Sequence, residues 1–99
     1  MIQHIILWEI KEEFSSEEKA VIRENAKREL EGLLGRIEGL EKVWVETRRL
    51  ASSNADMMLD SAFETEEALA GYQVNPLHQE AAGYVRSVVE NRLCLDFHA

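Results

Sequence analysis

Ile2-Gln3-His4-Ile5-Ile6-Leu7-Trp8 opens the chain, and its reading decides the fold class. β-Branched and aromatic residues dominate residues 2–10, and no glycine or proline interrupts them, which is the composition of a strand. Ile2, Ile6, Trp8 and Ile10 fall on one face; Ile5 and Leu7 fall on the other. A strand apolar on both faces is covered on both faces, so a single layer of helices cannot be its whole environment. The run is too short to span a membrane. It also lacks the basic leader and small-residue cleavage site of a signal peptide.

Working outward, Ser15 followed three residues later by Glu18 is a capping box, and Glu17 and Glu18 suit the positive end of a helix. Ile22, Ala26, Leu30, Leu33 and Ile37 recur at helical spacing, with Gly35 near the expected C-terminal end. Arg23, Glu24, Lys27, Arg28 and Glu31 make the opposite, solvated face. Residues 40–49 read as a second strand, with Val43, Val45 and Thr47 on one side and Lys42, Trp44 and Glu46 on the other. Ala51-Ser52-Ser53-Asn54-Ala55 is a loop by composition. Residues 57–63 form a third strand in which Met57, Leu59 and Phe63 share a parity. Thr65, Glu66 and Glu67 open a short helix through Tyr72, and Asn75-Pro76 starts another that runs to about Val85. The last strand covers residues 91–97, with Leu93, Leu95 and Phe97 on one parity.

The order is strand, helix, two strands, split helix, strand: one α+β domain over residues 1–99. Right-handed crossovers put both helical segments on the same face of a four-stranded sheet. The other face then has no cover within the chain, although Ile5, Leu7, Val43 and Val45 are expected to make it apolar. A second copy is the simplest cover, and a two-fold interface the commonest one. The expectation is a homodimer centred on those four residues.

Composition narrows the partners. Apolar residues make up 45% of the chain and charged residues 30%, an ordinary globular balance. With 19 acidic against 11 basic residues, the formal charge is −8. Such a surface repels phosphate backbones and anionic lipid, so neither nucleic acid nor membrane is expected as a partner. Cys94 is the single cysteine, which precludes an internal disulfide and suits a reducing cytoplasm.

Met1-Ile2-Gln3-His4-Ile5-Ile6-Leu7 at the start, Tyr72 before Asn75-Pro76-Leu77-His78 in mid-chain and Leu95-Asp96-Phe97 at the end resemble the stress-responsive A/B barrel domain. The resemblance covers almost the whole chain. It implies a ferredoxin-like fold with a four-stranded antiparallel sheet, dimerised sheet to sheet into an α/β barrel. Members of that family include stress-induced plant proteins and a polyketide cyclase. In the cyclase a tyrosine and a histidine line a pocket between sheet and helices. Tyr72 and His78 match those two positions, and His4 matches a further pocket histidine. Met57 stands where another pocket histidine falls, and Asn75 where many members carry a histidine before the proline.

Each candidate residue has two readings. His4 shares a parity with Ile6 and Trp8, and is either a pocket acid/base or a buried, hydrogen-bonded histidine. His78 lies near a helix N-terminus, where positive potential disfavours the imidazolium; it is either a neutral base or packed beneath a loop. Tyr72 either offers its hydroxyl to a carbonyl or enolate, or is a core aromatic. Trp8, Trp44, Met57, Met58, Leu59 and Phe63 either line a cavity for an apolar or aromatic small molecule or fill the core. Cys94 reads as a small buried hydrophobe and His98 as solvated.

The sequence holds no GxSxG, HExxH, phosphate-binding glycine loop or dinucleotide fingerprint. Its three histidines have no carboxylate at ligand spacing, so neither metal nor cofactor is expected. Three functions follow: a homodimer with a small-molecule pocket, the pocket optionally idle; a cyclase-like or other proton-transfer enzyme using Tyr72 and His78; and, by fold analogy alone, a cofactor-independent or haem monooxygenase.

Overall fold

A computed structural model describes residues 1–99. Its elements are β1 (Ile2–Ile10), α1 (Ser16–Glu31), β2 (Leu40–Glu46), β3 (Met57–Phe63), α2 (Glu66–Val74), α3 (Pro76–Val88) and β4 (Val89–His98). The sheet order is β2-β3-β1-β4, and every neighbouring pair is antiparallel. This is the ferredoxin-like arrangement expected from the element order.

Local chemistry sets the helix starts. The Ser15 hydroxyl accepts the Glu18 amide at 3.1 Å while the Glu18 carboxylate accepts the Ser15 amide at 2.8 Å, completing the capping box. Thr65 caps α2 and Asn75 caps α3, the latter with Pro76 in the first turn. Helix α1 ends sooner than its apolar period suggests, at Gly32 rather than near Gly35. Leu33 and Ile37 still reach the core, from turns whose reversals use positive φ at Gly35 and Gly39.

Ile2, His4, Ile6, Trp8 and Ile10 point beneath the helices and are buried. They meet Ile22, Ala26 and Leu30 of α1, Leu69 and Tyr72 of α2, and Ala81, Val85 and Val88 of α3 in one apolar cluster. Val43 and Val45 belong to that cluster too. This corrects the expectation that they lie on the uncovered face. The two sides of β2 are divided as the alternation indicates, but Lys42, Trp44 and Glu46 take the outer one. A tryptophan bounded by charges reads as easily outward as inward, and only the pairing of Val45 with Leu59 assigns the face. The outer side carries Ile5 and Leu7 as expected, with Leu95 paired to Ile5 and Leu93 paired to Leu7. Leu93, Leu95 and Phe97 are exposed there, at 71%, 64% and 40%.

Helix α1 departs from a simple solvated face. Lys27 Nζ donates to the Val45 carbonyl at 2.9 Å, and the Glu31 carboxylate accepts the Val45 amide at 2.9 Å. Arg23 reaches the backbone carbonyl and carboxylate of Asp56, which also accepts the Ile10 amide at 2.7 Å. The charged side of α1 thereby clamps the edge strand β2 at Val45 and the segment entering β3 at Asp56.

Candidate active site between sheet and helices

The split between α2 and α3 builds the site. Asn75 adopts an extended backbone (ψ 130°), its amide donates to the Tyr72 carbonyl, and its side chain accepts the Leu77 amide at 2.9 Å. This break turns the last turn of α2 against the first turn of α3. Tyr72 and His78 stack at 4.0 Å between ring centroids, tilted by 34°. Phe63 meets Tyr72 edge-on at 4.8 Å, and the His4 ring stands 6.4 Å from Tyr72.

A cleft of about 340 Å³ lies beside this stack. His4, Ile6 and Trp8 of β1, Leu59 of β3 and His78 of α3 contribute to its wall. Its mouth carries Gln73, Gln79, Arg86 and Arg92. Tyr72 is fully buried and stands behind His78 instead of in the wall. Trp8 and Leu59 line the cleft, Met57 and Phe63 fill the core, and Trp44 and Met58 lie on the opposite side of the sheet.

Two polar atoms in the stack are orphaned. Tyr72 Oη and His78 Nδ1 are both buried with no hydrogen-bond partner. Burial pushes the Tyr72 phenol up to about 12, so it keeps its proton as a donor. His78 is lowered from 6.5, chiefly by burial and further by the nearby Arg86 and Arg92 guanidinium groups, while contact with the Gln73 backbone opposes the shift. A neutral imidazole and a protonated phenol thus stand face to face.

His4 has a partner that local sequence spacing does not reveal. Asp96 lies opposite it in the β1–β4 register, and a carboxylate oxygen there accepts a short hydrogen bond from His4 Nδ1. In a neutral imidazole such a bond selects the tautomer with its proton on Nδ1. Cys94 is exposed, correcting its reading as a buried hydrophobe, because the helices leave β4 bare on both faces. Its thiol, raised by burial and by Asp96, lies 3.8 Å from His4 Nδ1 and 3.5 Å from the Asp96 carboxylate. These three ligand atoms fall within 4.8 Å of one another. The sulfur distances match the spacing around a tetrahedral ion with bonds of about 2.0–2.3 Å. The directly bonded His4–Asp96 pair would have to part to admit one. Arg92, Cys94 and Asp96 share the polar parity of β4, a sequence signal whose partner strand only the register identifies.

The family model for the stress responsive A/B barrel domain matches residues 2–99. The chain belongs to that family. Three solved structures share the fold of this A/B barrel domain. A dimeric ferredoxin-like protein of unknown function from Bacteroides fragilis is 24% identical with a TM-score of 0.92, the match covering 99% of this chain and 95% of that one. A second dimeric ferredoxin-like protein of unknown function, from Thermobifida fusca, is 21% identical with a TM-score of 0.82, covering 99% and 90%. A putative antibiotic biosynthesis monooxygenase from Nitrosomonas europaea is 15% identical with a TM-score of 0.76, covering 100% and 98%. No curated protein sequence gives a significant match to the A/B barrel domain chain.

Proposed function

We propose that this A/B barrel domain works as a homodimer that binds an apolar small molecule in the cleft between β1 and α3. The observation that carries the reading is the cleft itself: about 340 Å³ of space against Ile6, Trp8, Leu59 and Val85, with the neutral His78 ring in its wall. That size and lining fit the ordinary range of small-molecule sites. Dimerisation rests on the apolar outer face of the sheet and on the dimeric state of the two structural relatives. The test is a fluorescence titration with N-phenyl-1-naphthylamine, a neutral apolar probe. Ala82, which borders the cleft, is replaced by Trp to fill it. The wild type is expected to bind saturably, and Ala82→Trp to lose binding while keeping its melting temperature. Absence of saturable binding by the wild type refutes the pocket.

A specific observation favours a second reading, proton transfer beside a carbonyl. Tyr72 Oη and His78 Nδ1 are a donor and an acceptor left unpaired together, and buried polar groups are nearly always paired. In this reading His78 takes the proton and Tyr72 steadies the developing oxyanion, after a shift of the stack that opens Tyr72 to the cleft. Replacing His78 by Ala is then expected to lower turnover by about 10²–10⁴-fold, with the fold retained in circular dichroism.

A further inference from the structure

We infer that the cleft selects an amphipathic monocarboxylate, its apolar body against Ile6, Trp8 and Leu59 and its carboxylate between Arg86 and Arg92. The inference rests on the pocket reading above and adds the chemical class of the ligand. None of the residues that line the cleft is acidic, in a chain with 19 acidic residues and only 11 basic ones. Arg86 comes from the last turn of α3 and Arg92 from the start of β4, so the bend between the two elements brings both to the cleft. Both are close enough to help depress His78.

Neither arginine forms an ion pair, whereas Arg23 and Arg49 pair with Asp56, Lys27 with Glu31, Lys42 with Asp60 and Arg48 with Glu46. Two like charges at one apolar cleft, neither of them in an ion pair, repel each other, and an anion between them relieves that repulsion. Guanidinium groups present parallel donors that match a carboxylate. His78 is held neutral by its surroundings, so the positive potential at the mouth belongs to the arginines. A formal charge of −8 on the whole chain opposes the approach of multiply charged anions. That weighs against phosphate esters and nucleotides and favours one carboxylate on an apolar body.

The experiment is a calorimetric titration of the purified full chain with 2-naphthoate and, in parallel, with its neutral counterpart 2-naphthamide. Each is run at low and at high salt. The wild type is expected to bind the naphthoate more tightly, with a preference that shrinks as salt rises. The Arg86→Gln, Arg92→Gln double variant replaces two exposed side chains that form no ion pair and is expected to fold normally. It should lose roughly 10- to 100-fold in naphthoate affinity, the usual worth of a charge-assisted hydrogen bond, and keep its naphthamide affinity. Equal binding of acid and amide by the wild type, or an unchanged naphthoate affinity in the double variant, overturns the carboxylate inference and leaves the pocket standing. Failure of both probes to bind overturns the pocket and the inference together.

Discussion

Tyr72 is the largest side chain of the core with no exposed surface, and its hydroxyl has no partner. Leaving a buried hydroxyl unbonded costs free energy, whereas removing it while keeping the ring does not. Tyr72→Phe is therefore expected to be neutral or stabilising by up to about 1 kcal/mol, read from urea denaturation. A loss of stability instead means that the hydroxyl is bonded in solution. His78 carries a pH signature of its own. Its folded value is lowered from 6.5, so the unfolded chain binds the proton more readily. Its contribution is whole above pH 6.5 and is lost as the pH falls through the lowered folded value. Melting temperatures followed downward from pH 8 should fall more steeply in the wild type than in His78→Gln. Parallel curves for the two proteins dispose of a buried, neutral His78.

The turns after α1 show what single elements demand. Gly35 and Gly39 have φ of 83° and 82°. A Cβ on Gly35 would meet open space, but one on Gly39 would collide with the Ala68 Cβ of α2. The chain leaves α1 and enters β2 pressed against the second helix, and only glycine permits that approach. Gly35→Ala is expected to cost about 1–2 kcal/mol, the backbone penalty alone. Gly39→Ala should cost clearly more, because α2 must also move. Equal losses in chemical denaturation would show that the α2 contact yields freely. The same region explains the early end of α1. Leu33 and Ile37 keep a helical spacing in the sequence and a place in the core, yet reach it from turns. Periodicity records which side chains are buried, not the backbone that delivers them.

At the scale of the molecule, the helices bury one side of β1, β2 and β3 and leave β4 bare on both. Leu7, Leu93, Leu95 and Phe97 stand together on the outer face, with Trp44 farther along the sheet. Apolar groups concentrated this way mark an interaction surface. The proposed dimer buries them against their own copies, and a two-fold axis brings any substitution there in twice. Leu95→Asp is expected to give a monomer, since unpaired buried charges cost several kcal/mol, with the cleft side of the sheet undisturbed. Light scattering at micromolar concentration checks this, and a monomeric wild type would defeat the dimer outright. Val43→Asp, by contrast, would damage the core of each protomer, because Val43 lies beneath the helices.

What the sequence by itself determined was local. The capping box at Ser15, the Asn75-Pro76 restart and the period of Ile2–Ile10 act within a few residues, and each is found where it reads. The element order and the handedness of crossovers then leave little choice of topology. Tyr72 and His78 were also legible as neighbours, since one helix break joins them. Only the tertiary structure decided which side of β2 faces the helices, because Val43 and Trp44 are both apolar and alternation has no sign. It alone set Asp96 against His4 across 92 residues and brought Arg86 and Arg92 to one mouth. Those relations depend on strand register and on the bend between α3 and β4. The physical cause lies in hydrogen-bond ladders between distant segments, whose partners no short stretch of the chain encodes.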